Sequence, residues 1–230
     1  MNKQYQCVIF DWDGTLMDSE ARIVSSIQIA AKRANYPVLP YDVSKQIIGL
    51  SLEKAILTLY PEADDAGIKA ISEGYTQCFL EESDVPMLPF DGAERLLKSL
   101  KSQGTKLAIA TGKSRRGLDQ VLDEVGFVDY FDLTRTPVES ESKPSPLMLQ
   151  QILEAFSLEP EQAVMIGDTE FDMQMASAIQ MDRVALSHGV HELERLQSFD
   201  PVACFDDLHA MHAWLVNNIV PHEVKNIKEG

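Results

Sequence analysis

Two aspartates one residue apart, Asp11 and Asp13, end the first apolar run of the chain, CVIFDWDGT. Carboxylates this close repel each other and resist burial, so their place at the mouth of an apolar segment calls for a compensating charge. Two later apolar runs stop at groups of matching chemistry. KLAIA ends before Thr111, Gly112 and Lys113, and AVMI ends before Gly167, Asp168 and Thr169, with Asp172 one helical turn on. Lys143 stands before Pro144 in a loop between them. A lone aspartate at a strand end is most often a helix cap or a turn former. Thr111 alone could cap the next helix, and Lys143 alone could be a solvated charge. Together they bring several carboxylates, a hydroxyl and an ammonium to one crevice, where the acids cannot all stay ionised without a cation. Oxygen ligation by few protein groups suits Mg²⁺, a hard ion that keeps several waters and accepts phosphate as a further ligand.

The elements that must position these residues follow from periodicity. CVIF, KLAIA, AVMI and RVAL are short and rich in apolar residues, as strands buried on both faces of a parallel sheet are. GAERLLKSLKSQG, SRRGLDQVLDEVG and SPLMLQQILEAF lie between them and carry apolar residues at helical spacing. Alternation of this kind predicts an α/β fold, a Rossmann-like doubly wound parallel sheet, with ligands bound outside the carboxyl ends of the strands. Residues 17–85 break the rhythm. SEARIVSSIQIAAKRAN, VSKQIIGLSLEKAILTLY and DDAGIKAISEGYTQCFLEES are helical in pattern, with no strand candidate among them. They predict an all-α insertion that leaves after the first strand and returns through VPMLPFDG. The expected division is a core of residues 1–16 and 86–218, a helical cap of residues 17–85, and a frayed tail of residues 219–230.

Composition narrows the partners. The 230 residues are 45% hydrophobic, enough for a sizeable core, and carry a formal net charge of -16. So acidic a surface repels phosphate backbones, and no nucleic-acid partner is expected. An anionic substrate needs a locally positive pocket, such as a cation plus a lysine. Cys7, Cys78 and Cys204 are far apart with no CxxC pair, which fits thiols in a reducing compartment. The apolar residues before Asp11 are too few for a signal-peptide core, and no run approaches the roughly 18 residues of a membrane span. A cytoplasmic, soluble protein, without a membrane partner and by preference a monomer, is the expectation.

Asp11-Trp12-Asp13-Gly14-Thr15-Leu16 resembles the first signature, DxDGT, of the haloacid-dehalogenase-like phosphohydrolases. Ala110-Thr111-Gly112-Lys113 is similar to the second, Lys143-Pro144 to the third, and Gly167-Asp168-Thr169-Glu170-Phe171-Asp172 to the fourth, in the family's order. The helical insertion sits where the family's phosphoglycolate phosphatase and β-phosphoglucomutase subclass inserts its cap. The resemblance implies a strand order of 5-4-1-2-3 and a hydrolysed small-molecule phosphoester. It implies Asp11 as the nucleophile that forms an aspartyl-phosphate, and Asp13 as the acid and base. Mg²⁺ would be held by Asp11, the main-chain carbonyl of Asp13 and Asp168, with Asp172 in support. Thr111, Gly112 and Lys143 would bind the phosphoryl group, and Gly14 would bend the backbone so that its amides face it.

Departures from the family pattern lie outside these positions. Aspartate at position 13 favours phosphoester chemistry over dehalogenation. The same aspartates serve a β-phosphoglucomutase-like phosphomutase, and a non-catalytic binding protein on the same fold is the alternative of another class. His188 is expected at the pocket rim, and His191, His209, His212 and His222 at the surface. Gly49 marks a loop near the site mouth, while Arg22 and Lys54 are read as solvated charges of the cap. Trp12, between the two aspartates, is expected to pack in the core.

Overall fold

The computed structural model describes residues 4–220. Six parallel strands form one sheet: β1 (Cys7–Phe10), β4 (Lys106–Ala110), β5 (Leu133–Arg135), β6 (Ala163–Gly167), β7 (Asp182–Leu186) and β8 (Ala203–Phe205). Their order is β5-β4-β1-β6-β7-β8, so β1 is central, hydrogen-bonded to β4 on one side and β6 on the other. This is the expected order with one further edge strand, β8, outside β7.

Alternation along β1 divides the core. Val8 and Phe10 face one layer with Leu96, Leu100, Leu118 and Met211, while Cys7 and Ile9 face the other with Met148, Leu149, Ile152 and Met175. These come from helices α5 (Ala93–Ser102), α6 (Arg115–Val125) and α10 (Leu208–Leu215) on the first face, and α7 (Leu147–Phe156) and α8 (Glu170–Ser177) on the second. Covering both faces is what lets a strand be apolar throughout, and each large side chain so buried contributes about 1.5–3 kcal/mol. Trp12 is fully buried and meets the rings of Phe127 and Phe131 edge-on, which is its expected packing role.

The cap contains α1 (Glu20–Arg33), α2 (Tyr41–Ser44), α3 (Leu52–Leu59) and α4 (Asp65–Gln77) around its own small core of Ile27, Ala30, Ile56, Tyr60 and Ile71. VSKQIIGLSLEKAILTLY is not one helix. α2 gives way to a single tight turn over Lys45–Ile47, and α3 begins only at Leu52. The chain bends between them at Gly49, where φ is +98°, a conformation that side chains with a Cβ disfavour. The two strands leading to and from the cap run side by side as a short antiparallel pair, β2 (Met17–Asp18) and β3 (Leu88–Pro89), extended by Phe90 N–H donating to Leu16 O at 3.0 Å. Of the expected frayed tail, Ile219 bridges to Tyr5 and Val220 N–H donates to Tyr5 O at 3.0 Å; residues 221–230 lie outside the described residues. Among the described residues no helix is long and apolar enough to cross a membrane.

Candidate active site

The carboxyl ends of β1, β4 and β6 deliver the expected residues to one crevice. Asp11 follows β1 and is fully buried; its Oδ1 accepts from Trp12 N–H at 2.6 Å and from Lys143 Nζ at 2.8 Å. Lys143, also fully buried, reaches from the loop before α7 and donates to Asp172 Oδ1 at 2.6 Å. Asp172 belongs to the first turn of α8, where its other oxygen accepts from Thr169 N–H at 3.1 Å and Thr169 Oγ1 at 2.7 Å. The same carboxylate thus caps the helix and anchors the lysine, a local device that fixes both. Asp168, at the end of β6, accepts from Thr15 Oγ1 at 2.7 Å and from Val190 N–H at 2.9 Å.

One lysine does not balance these acids. Burial pushes the Asp11 carboxyl up to about 7 against the opposing pull of Lys143, and Asp172 adds to the rise. Asp168 lies well above the usual carboxylate range, through burial first and then its neighbours Asp11 and Asp172. For Lys143 burial lowers the ammonium's affinity for its proton, but the two carboxylates outweigh it and the net shift is upward. Asp11, Asp168 and Asp172 each offer an oxygen, all within 4.8 Å of one another, and Asp11 Oδ2 is buried with no hydrogen-bond partner. An orphaned carboxylate oxygen inside a buried acidic trio is what a cation would satisfy. The residues present therefore fit a hard divalent ion.

Asp13 has other company. Its Oδ1 accepts from Ser19 Oγ at 2.8 Å, and its Oδ2 pairs with Lys113 Nζ at 3.0 Å. The trio shares one lysine among three carboxylates, whereas Asp13 has a lysine of its own. Lys113 in turn lies over the Phe79 ring of the cap, 4.3 Å from its centroid. Lys113 stands among the residues collected at the end of KLAIA, but its pairing with Asp13 was not foreseen, and Ser19, just beyond the first signature, was given no role. Ser19 has the type and place of a helix N-cap for α1, yet makes no capping bond and gives its hydroxyl to Asp13. Thr111 is buried at the end of β4, with its Oγ1 accepting from Lys113 N–H at 3.3 Å.

Gly14 has a different task from the one expected. Its φ is +80°, and its N–H donates to Met17 O at 2.9 Å, so that amide closes the turn and is not free for an anion. A Cβ at this position would fall on the Asp168 carboxylate. Gly112 is equally confined, because a Cβ there would run into the backbone of Gly49 and Leu50. The Gly49 loop is therefore pressed onto the signature segment after β4, and Ser51 N–H donates to Ser142 Oγ at 2.9 Å beside it. Lys54, read as a solvated charge, reaches the core to donate to Ser142 O at 3.3 Å; Arg22 donates to Val85 O at 2.7 Å. His188 sits at the rim as expected, bonded to Thr15 O at 3.2 Å and with its ring tilted against that of Phe90, centroids 4.2 Å apart. His191 is not a surface residue. It is buried, its Nδ1 accepts from Glu170 N–H at 3.0 Å, and it packs against Phe171. His209 is exposed beside Asp91, His212 is half-buried, and His222 lies outside the described residues.

Comparison with known proteins agrees with this geometry. The family of haloacid dehalogenase-like hydrolases matches residues 8–186. The probable phosphatase IndB of Dickeya dadantii is 32% identical over 205 residues, covering 86% of this chain and 88% of that one. A phosphoglycolate phosphatase of Psychrobacter arcticus is 26% identical over 220 residues, covering 92% and 96%. Among solved structures, a hydrolase from Pseudomonas syringae superposes with a TM-score of 0.83 at 22% identity, covering 94% of this chain and 100% of that one. By sequence pattern, fold and helical cap, the chain belongs to the haloacid dehalogenase-like hydrolase family and is an enzyme of it.

Proposed function

We propose that the chain is a Mg²⁺-dependent phosphatase that hydrolyses a small phosphorylated metabolite through an aspartyl-phosphate on Asp11. The observation that carries this reading is the buried, unpartnered Oδ2 of Asp11 within the Asp11, Asp168 and Asp172 trio. Asp11, the main-chain carbonyl of Asp13 and Asp168 would hold Mg²⁺, with Asp172 in support, and the ion would offset the negative charge of the phosphoryl group. In the first step the Asp11 carboxylate attacks phosphorus, the bond to the leaving oxygen breaks, and Asp13 gives that oxygen a proton. In the second, Asp13 takes a proton from water, the water oxygen attacks phosphorus, and the Asp11 carboxylate is released with inorganic phosphate. Ser19 and Lys113 hold the Asp13 carboxylate in one orientation for both transfers. Lys143, Thr111 and Gly112 border the phosphoryl position, where Lys143 would meet its oxygens.

The division into a core of residues 1–16 and 86–218 and a cap of residues 17–85 belongs to the same proposal, supported by the β2–β3 pair where the two linkers cross. So does a cytoplasmic location, supported by three free cysteines, and a monomer is the simplest assembly. The core aspartates would serve a phosphomutase as well, but the aliphatic surroundings of Asp13 on the cap side offer few partners for sugar hydroxyls. Hydrolysis of p-nitrophenyl phosphate, with and without Mg²⁺ and beside Asp11→Asn, tests the reading. Turnover that needs both the metal and Asp11 supports it; equal rates from variant and wild type, or no turnover of any phosphoester, would remove it.

A further inference from the structure

The space on the cap side of Asp13 has a chemistry of its own. A cavity of about 70 Å³ opens against Asp13, Gly112 and Lys113, with cap walls formed chiefly by Ile23, Ile47, Ile48, Leu52, Phe79 and Leu80. One water needs roughly 10–15 Å³, so this volume admits a group of a few carbon atoms. Tyr75, Thr76 and Ser114 bring hydroxyl groups to the lining, and among the described residues Lys113 is the one cation in it. That cation is engaged twice, by Asp13 at 3.0 Å and by the face of Phe79 at 4.3 Å. Two cations of the cap are engaged as well: Arg22 with the Val85 carbonyl, Lys54 with the Ser142 carbonyl. Neither lines the cavity.

We infer that this cavity receives the leaving group, and that the leaving group is a compact, uncharged, apolar alcohol and not a carboxylate-bearing one such as glycolate. The inference rests on the phosphatase reading in one respect: the leaving oxygen lies on the side of its proton donor, Asp13. A carboxylate in the cavity would lose its water to aliphatic walls, and pairing with Lys113 would mean drawing that lysine away from Asp13 and the Phe79 face. An alkyl group of the same size incurs none of these costs and gains from apolar burial.

Two phosphonates of matched shape separate ligand class from turnover. Phosphonopropionate mimics phosphoglycolate, and isopentylphosphonate replaces its carboxylate with an isopropyl group. Calorimetric titration of the full chain in Mg²⁺ should show isopentylphosphonate binding at least about tenfold more tightly. The corresponding esters, isobutyl phosphate and phosphoglycolate, should show kcat/KM values in the same order. Equal or tighter binding of phosphonopropionate, or no binding of either compound, overturns the inference. Selective binding of isopentylphosphonate with no ester hydrolysed would uphold the ligand class while removing the phosphatase reading.

Discussion

Replacing Gly112 with alanine should disable the enzyme without unfolding it. The Cβ so introduced would lie 2.7 Å from the Leu50 carbonyl carbon and closer still to the carbonyl oxygens of Gly49 and Leu50. Ordinary carbon contacts begin at 3.4 Å, so the cap loop and the signature segment must separate by about 0.7 Å at that atom and by more at the oxygens. The obstacle is main chain, which cannot swing aside as a flexible side chain would. A shift near 1 Å between reacting groups costs about a hundredfold in rate, equivalent to about 2.7 kcal/mol of transition-state binding. Gly112 lies between Thr111 and Lys113, so the displacement is felt by the partner of Asp13 directly. Gly112→Ala should therefore lose about a hundredfold in kcat/KM on p-nitrophenyl phosphate while its melting temperature stays within a few degrees of wild type. Gly74→Ala is the control: a Cβ there meets Ala30 at an ordinary 3.4 Å, so kinetics should be unchanged and stability equal or about 1 kcal/mol higher. Wild-type kcat/KM in a folded Gly112→Ala protein would refute the claim that the closed cap loop fixes the site.

Other consequences follow from the buried charges. Lys143→Met leaves Asp11 and Asp172 buried without their cation, so urea unfolding in metal-free buffer should show a loss of about 3–5 kcal/mol; a loss below about 1 kcal/mol would mean the pair is solvated. Asp168→Asn should keep the fold and raise the Mg²⁺ concentration for half-maximal activity by about 10–100-fold in a metal titration. The Cys7 thiol, pushed up to about 12 by burial, should resist thiol reagents in the native state and react only on unfolding, whereas the half-exposed Cys204 should label first. Peptide mapping after brief alkylation distinguishes them.

Much of the core could be read from the chain because its central strands are covered on both faces. CVIF and AVMI are apolar throughout for that reason, as are KLAIA and RVAL after their first residue, and the polar residues at their ends fall together by topology alone. β5 and β8 escaped because each is a three-residue strand at a sheet edge, half-buried, and LTR and ACF carry no periodicity to detect. The stretch from Tyr41 to Tyr60 keeps helical spacing on both sides of Gly49, and the break falls at the loop expected there, although the spacing alone does not show it. Asp11 and Asp13, separated only by Trp12, were legible as a pair but not as two environments. The first faces Lys143 across the sheet, and the second faces Lys113 and Ser19 beneath the cap. His191 shows the limit most plainly: a lone histidine carries no pattern, and its burial is set by Phe171 and the N-terminus of α8.

Covalent capture of the phosphoryl group tests the central claim most directly. Wild-type protein turning over a phosphoester in Mg²⁺ can be quenched in acid, digested and examined by mass spectrometry. The account predicts one added phosphoryl group on the peptide carrying Asp11, absent from Asp11→Asn and accumulating when Asp13→Asn slows its hydrolysis. A phosphoryl group on another residue, or full turnover with none on Asp11 at any quench time, would contradict it.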